Sequence, residues 1–170
     1  MNHKQKRKLV VTMGKIIGNT LLLMIILACV PLTVPKLFGY EPYTIVSGSM
    51  EPAVPTGSLV YIRRIEAEAV EIGDVIAYYG DRDENAVIVH RVVERDERSF
   101  ITKGDANETE DLRPVGYDQL MGIVSISVPH LGIFAEALTM GNGRILTVSL
   151  VFLALVLHLL AITLERKKEK

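Results

Sequence analysis

Two apolar blocks near opposite ends of the chain constrain its architecture more than any other feature. Ile145–Leu164 reads ILTVSLVFLALVLHLLAITL, 20 residues without a formally charged side chain. Ile16–Val34 supplies 19 more, interrupted by Asn19, Thr20 and Thr33. About 20 apolar residues suffice for a helix to cross the hydrocarbon core of a bilayer. The reading is therefore two transmembrane helices, over 15–35 and 145–164, with 36–144 held between them. The remaining ends, 1–14 and 165–170, are short basic tails.

The charges support that division and orient it. Residues 40–144 carry 18 acidic and 9 basic side chains, whereas the flanks carry 2 acidic and 10 basic ones. A folded part with such an acidic excess argues against a nucleic-acid binder, whose domain should be basic. Basic clusters outside both spans (MNHKQKRK before the first, ERKKEK after the second) predict both tails on the cytoplasmic side. The middle then lies on the extracytoplasmic side, which is the lumenal side in an endoplasmic reticulum. A cleaved signal peptide has a shorter apolar region and a small-residue cleavage site; no A-x-A sequence follows the first block, so it reads as an uncleaved anchor. His158, inside the second span, reads as a neutral histidine near the interface. The one cysteine, Cys29, falls inside the first span, so the middle domain must hold together by packing alone.

Within the middle, SLVYIRR (58–64), DVIAYY (74–79), AVIVHRVV (86–93), SFITK (99–103) and MGIVSISV (121–128) are short and rich in β-branched or aromatic residues. Turn formers separate them, as expected of strands. RDER at 95–98 predicts a hairpin, FAEALTM a short helix, and GNG at 141–143 a turn before the second span. DRDEN at 81–85 reads as a solvated loop, and PKLFGYEPY (35–43) as a link whose apolar side chains keep the domain near lipid. The fold class expected is a mainly β domain, a folded sheet or small barrel, flanked by two transmembrane helices. Side-chain alternation in AVIVHRVV puts Ile88, His90 and Val92 on one strand face and Val87, Val89, Arg91 and Val93 on the other.

Several residues carry potential chemistry. Ser47 and Ser49 lie in SGSME (47–51) shortly after the first span, His90 sits mid-strand, and Asp105 and Asp111 follow in KGDANETED (103–111). A serine hydroxyl needs a neighbouring base to act as a nucleophile, and histidine suits that task near neutral pH. A carboxylate would then fix the imidazole tautomer, and either Asp105 or Asp111 could supply it. Lys103 is a lesser candidate base. No His/Cys spacing suits a metal and no glycine-rich phosphate loop occurs, so no cofactor or metal is expected.

Taken in order, SGSMEP, IGDVIAY (72–78), VHRVV (89–93) and KGDAN (103–107) resemble the successive boxes of type I signal peptidases. The type resembled is that of the endoplasmic reticulum, archaea and spore-forming bacteria, the S26B type. The resemblance covers most of 40–130. It implies a serine endopeptidase that removes signal peptides after small residues, in A-x-A-like sites. Ser49 matches the nucleophile, and His90 stands where the usual bacterial enzymes have a lysine base. Asp111, six residues after Asp105, matches the usual triad acid, with Asp105 a second important carboxylate. Ser47 matches a hydroxyl that assists the oxyanion, and Met50 is expected to line the membrane side or a substrate pocket. Partners implied are signal-peptide-bearing preproteins, the lipid bilayer and the secretion translocon. Two rivals remain: a self-cleaving Ser–Lys protease relative, and a membrane-anchored β-rich binding or structural module whose serines are inert.

Overall fold

The structure, a computed structural model, describes residues 2–80 and 83–166. Asp81 and Arg82 of the acidic DRDEN segment, and residues 167–170 of the basic tail, lie outside the described residues. The chain divides into two compact units, one spanning Thr33–Glu136 and one made by the segments that flank it.

In the flanking unit, α1 (His3–Thr33) and α3 (Gly141–Arg166) are long enough and apolar enough to cross a membrane. With a rise of 1.5 Å per residue, α1 is about 46 Å long, more than the roughly 30 Å of a hydrocarbon core. The excess is the basic amino-terminal stretch, expected as a tail and found to be helical. Its Lys, Gln, Arg and Leu residues favour the helix. Gly18 lets the two helices approach: a Cβ there would lie 3.6 Å from both the Ala154 carbonyl oxygen and Leu157 Cβ. Small residues commonly serve this purpose between membrane helices.

The Thr33–Glu136 unit is built on a seven-stranded antiparallel sheet. Its strands are β1 (Tyr40–Thr44), β2 (Leu59–Arg63), β3 (Val75–Gly80), β4 (Asp83–Arg95), β5 (Ser99–Lys103), β6 (Val115–Gly116) and β7 (Leu120–Val128). Their spatial order is β1-β2-β7-β3-β4-β5-β6, so the last strand in sequence is inserted near the centre. Among the described residues the end strands β1 and β6 do not pair, which leaves an open sheet rather than a closed barrel. A short helix, α2 (Leu131–Thr139), follows β7 where FAEALTM predicts one, and the chain breaks at Met140 before α3.

Five strands coincide with the β-branched runs, and two do not. β1 falls in the stretch read as a link, because Pro42 interrupts it. Proline is tolerated on an edge strand, where its missing N–H costs no ladder bond, and β1 is such an edge. β6 is only two residues long. Asp83, Glu84 and Asn85, read as loop, open β4, with Asp83 in register with Gly80.

Both faces of the sheet are covered, and the alternation in β4 shows how. Val87 and Val89 join a core with Ile45, Met50, Val54, Val60, Ile62, Ala77 and Met121. Ile88 and Val92 join a second core with Val70, Ile76, Tyr78, Phe100 and Val115. Phe100 is fully buried, which by area contributes up to about 3 kcal/mol. His90 therefore enters the second apolar layer by one side of the strand, and Arg91 leaves by the other.

Candidate active site

Ser49 sits in the loop that joins β1 to β2. The base of this loop is closed by main-chain bonds from Ile45 N–H to Ser58 O (2.9 Å) and from Gly57 N–H to Ile45 O (2.8 Å). Within it, Glu51 Oε1 accepts from the Thr56 hydroxyl at 2.8 Å, and Val54 N–H donates to Met50 O at 2.8 Å. These bonds leave Ser47 and Gly48 exposed and Ser49 half-buried. The Ser47 and Ser49 hydroxyl oxygens are 3.4 Å apart.

His90 stands on the middle of β4, in register with Ile76 of β3. Its ring is buried, and Tyr78 meets it edge-on with 6.5 Å between ring centroids. Asp111 lies just beyond β5. Its backbone N–H donates to Thr102 O at 2.8 Å, which brings the carboxylate back over the strand.

The three groups form one line. Ser49 Oγ lies 3.2 Å from His90 Nε2, and His90 Nδ1 lies 2.6 Å from Asp111 Oδ2. With Nδ1–H donated to the carboxylate, Nε2 carries the lone pair that can accept the serine proton. The Asp111 oxygen also accepts from the Thr102 hydroxyl at 2.6 Å and from the Tyr78 hydroxyl at 3.3 Å. Burial, with the Asp111 charge and hydrogen bond adding to it, pushes the Tyr78 phenol up to about 12.

Asp105 is elsewhere. Arg91 Nε and NH2 donate to its two carboxylate oxygens at 2.8 and 2.6 Å, and Arg91 NH1 donates to Gly73 O at 2.7 Å. The hydrogen bonds from this pair raise the Arg91 guanidinium above its ordinary value. Of the two carboxylates proposed from sequence, the structure brings only Asp111 to His90. Asp105 instead secures the turn 104–107. That turn bonds to the serine loop: Ala106 N–H donates to Ser49 O at 2.9 Å. Gly104 is needed for this approach, since a Cβ there would lie 2.6 Å from Ser49 O. Lys103 pairs with Arg91 in register and so points from the face opposite Thr102.

Met50 is a correction. Its side chain is 1% exposed and lies in the first core, so it packs the domain rather than lining a substrate pocket or the membrane side. The loop turns inward directly after Ser49, a reversal that the sequence SGSME does not announce. Sequence reasoning missed Thr102, Tyr78 and Arg91. Thr102 alone left a trace, as a hydroxyl two residues before the glycine of KGD on the same strand. A cleft of about 460 Å³ opens beside His90 and Asp111, lined also by Tyr79, Leu112 and Arg113. Among the described residues, no three His, Cys, Asp or Glu side chains converge as metal ligands would.

Comparison with known proteins gives this geometry a lineage. The family profile described as "Signal peptidase, peptidase S26" matches residues 17–94. The catalytic subunit SEC11 of the signal peptidase complex from Clavispora lusitaniae is 32% identical over 114 residues, covering 59% of this chain and 68% of that protein. The chain belongs to the signal peptidase family, peptidase S26. Another relative in this family, signal peptidase I W of Bacillus subtilis, is 35% identical over 117 residues, covering 59% of this chain and 60% of its own. The SEC11 subunit of Scheffersomyces stipitis is 34% identical over 107 residues, covering 55% and 63%. The chain spans about 60% of the length of the first of these signal peptidase relatives.

Proposed function

We propose that this protein is a membrane-bound serine endopeptidase that removes signal peptides from secreted preproteins after small residues. Its nucleophile is Ser49, its general base His90 and its triad acid Asp111. One observation carries the reading: the hydrogen-bonded line from Ser49 Oγ through His90 to Asp111 Oδ2, at 3.2 and 2.6 Å.

The chemistry follows from that line. His90 Nε2 takes the Ser49 proton as the oxygen attacks the scissile carbonyl, and Asp111 stabilises the imidazolium through Nδ1–H. The tetrahedral oxyanion forms beside the Ser49 backbone N–H, with the Ser47 hydroxyl as the second donor. One such donor contributes about 3 kcal/mol to transition-state stabilisation. The imidazolium then protonates the leaving amine, which is the new amino terminus of the mature protein. A water molecule, deprotonated by His90, clears the acyl-enzyme. Gly48 suits a close substrate approach: a Cβ there would meet nothing of the protein nearer than 3.5 Å, so the fold itself does not demand glycine. An extended substrate can add to a sheet by main-chain hydrogen bonds.

The two apolar helices anchor the enzyme, with both termini cytoplasmic and the sheet on the extracytoplasmic side, a reading supported by the basic clusters outside both spans. Anchoring confines enzyme and preprotein to one surface and raises their effective concentration. Preproteins reach it as they leave the secretion translocon.

The test is cleavage of a preprotein with an A-x-A site by the full chain in detergent. Wild-type protein should cut at that site, and Ser49→Ala and His90→Ala should not. Cleavage that persists in Ser49→Ala, or a wild-type protein that does not cut, ends the reading.

A further inference from the structure

Two hydroxyl groups, those of Tyr78 and Thr102, bond to the same Asp111 oxygen that meets His90, and the attack of Ser49 consumes neither. Tyr78 is the less expected. It lies on β3 with its side chain on the same sheet face as His90, in register with Ile88, and it is 6% exposed. A phenol so deeply placed needs a partner, because a buried hydroxyl left unsatisfied is costly.

We infer that Tyr78 is a positioning residue for the triad acid, holding the Asp111 carboxylate so that Oδ2 stays aimed at His90 Nδ1. This rests on the proposed peptidase reading and deepens it. The Tyr78 hydroxyl is 3.3 Å from Asp111 Oδ2 and 3.3 Å from Thr102 Oγ1, while Thr102 itself donates to the same oxygen at 2.6 Å. Two donors on the carboxylate oxygen that also meets the imidazole restrict its freedom to rotate. The edge-on ring contact with His90 limits the imidazole in the same way. Asp111 sits within the loop between β5 and β6, and its next residue, Leu112, is fully exposed. Side-chain anchoring therefore matters more here than on a strand. A phenol held up at about 12 also remains a donor at every pH at which the enzyme would work.

Tyr78→Phe removes one oxygen and keeps the ring in the core. We expect kcat for the A-x-A preprotein to fall about tenfold with KM within twofold, the loss typical of one hydrogen bond to a charged group. The Nδ1–H proton resonance of ¹⁵N-histidine-labelled protein in detergent should move, because it reports the His90–Asp111 bond directly. Both readouts are taken on the folded, monodisperse fraction. An unchanged kcat, a change confined to KM, or an unmoved resonance overturns the inference. Ser49→Ala is run alongside. If that variant still cleaves, the peptidase reading fails, while the resonance still decides whether Tyr78 positions Asp111.

Discussion

Arg91 and Asp105 form a two-pronged ion pair, at 2.8 and 2.6 Å, and Asp105 belongs to the turn that carries the main-chain bond to Ser49. The pair is partly exposed, with side chains 34% and 18% accessible, so solvent weakens its attraction. Its value lies in geometry. Arg91→Lys keeps the charge but cannot reproduce the planar fork. The expected outcome is a stability loss of about 1 kcal/mol by denaturant titration, with a several-fold fall in peptidase rate. A rate equal to wild type would show that the turn does not depend on the fork.

Gly104 makes a sharper prediction. A methyl group at this position meets the Ser49 carbonyl at 2.6 Å and Asn107 Nδ2 at 2.7 Å, so one of the two loops must move. A displacement near 1 Å costs roughly 100-fold in rate. Gly104→Ala should therefore lose about that factor while remaining folded, checked by steady-state cleavage and thermal unfolding.

Asp111→Asn should cost about 10⁴-fold in kcat, by favouring the wrong imidazole tautomer. Asp105→Asn should cost far less, because its partner is Arg91. Comparing the two variants in one cleavage assay separates the carboxylates, and equal losses would refute the assignment.

The rate should decline towards acid with a slope of one proton, since Nε2 must be free to accept from Ser49. A kcat/KM profile that stays flat towards acid would remove His90 as the base.

Alkaline stability depends on Tyr78. Its phenol ionises near 10 in an unfolded chain and only near 12 in the fold. Between those values the folded state holds the extra proton, so its stabilising contribution, complete below pH 10, is lost as pH rises towards 12. The denaturation midpoint of the wild type should drop across that window more steeply than that of Tyr78→Phe.

Much of this molecule could be read before folding, for identifiable reasons. The spans are legible because lipid demands long uncharged runs, and the principal strands because β-branched residues alternate between polar turns. The alternation in β4 separates the Ile88–Val92 face from the Val87–Val89 face, and the two cores divide along that line. Residue reading alone could not choose between Asp105 and Asp111. Both lie in the loop after β5, and the direction each points depends on how residues 104–111 curl back to Thr102. Arg91 looked like an ordinary strand cation because its carboxylate partner is 14 residues away. Met50 looked like a pocket residue because the inward reversal of its loop is a tertiary event. Pro42 hid β1, a strand that only the edge of a finished sheet can tolerate.

The position of β7 has a consequence for timing. Ser49 precedes β2 and His90 rides on β4, yet among the described residues β2 pairs only with β1 and β7, and it is β7 that joins it to β3. A nascent chain that has made everything through residue 119 still lacks the strip that stitches its two halves together. The line from Ser49 through His90 to Asp111 should thus assemble late in biogenesis, after the final strand slots in.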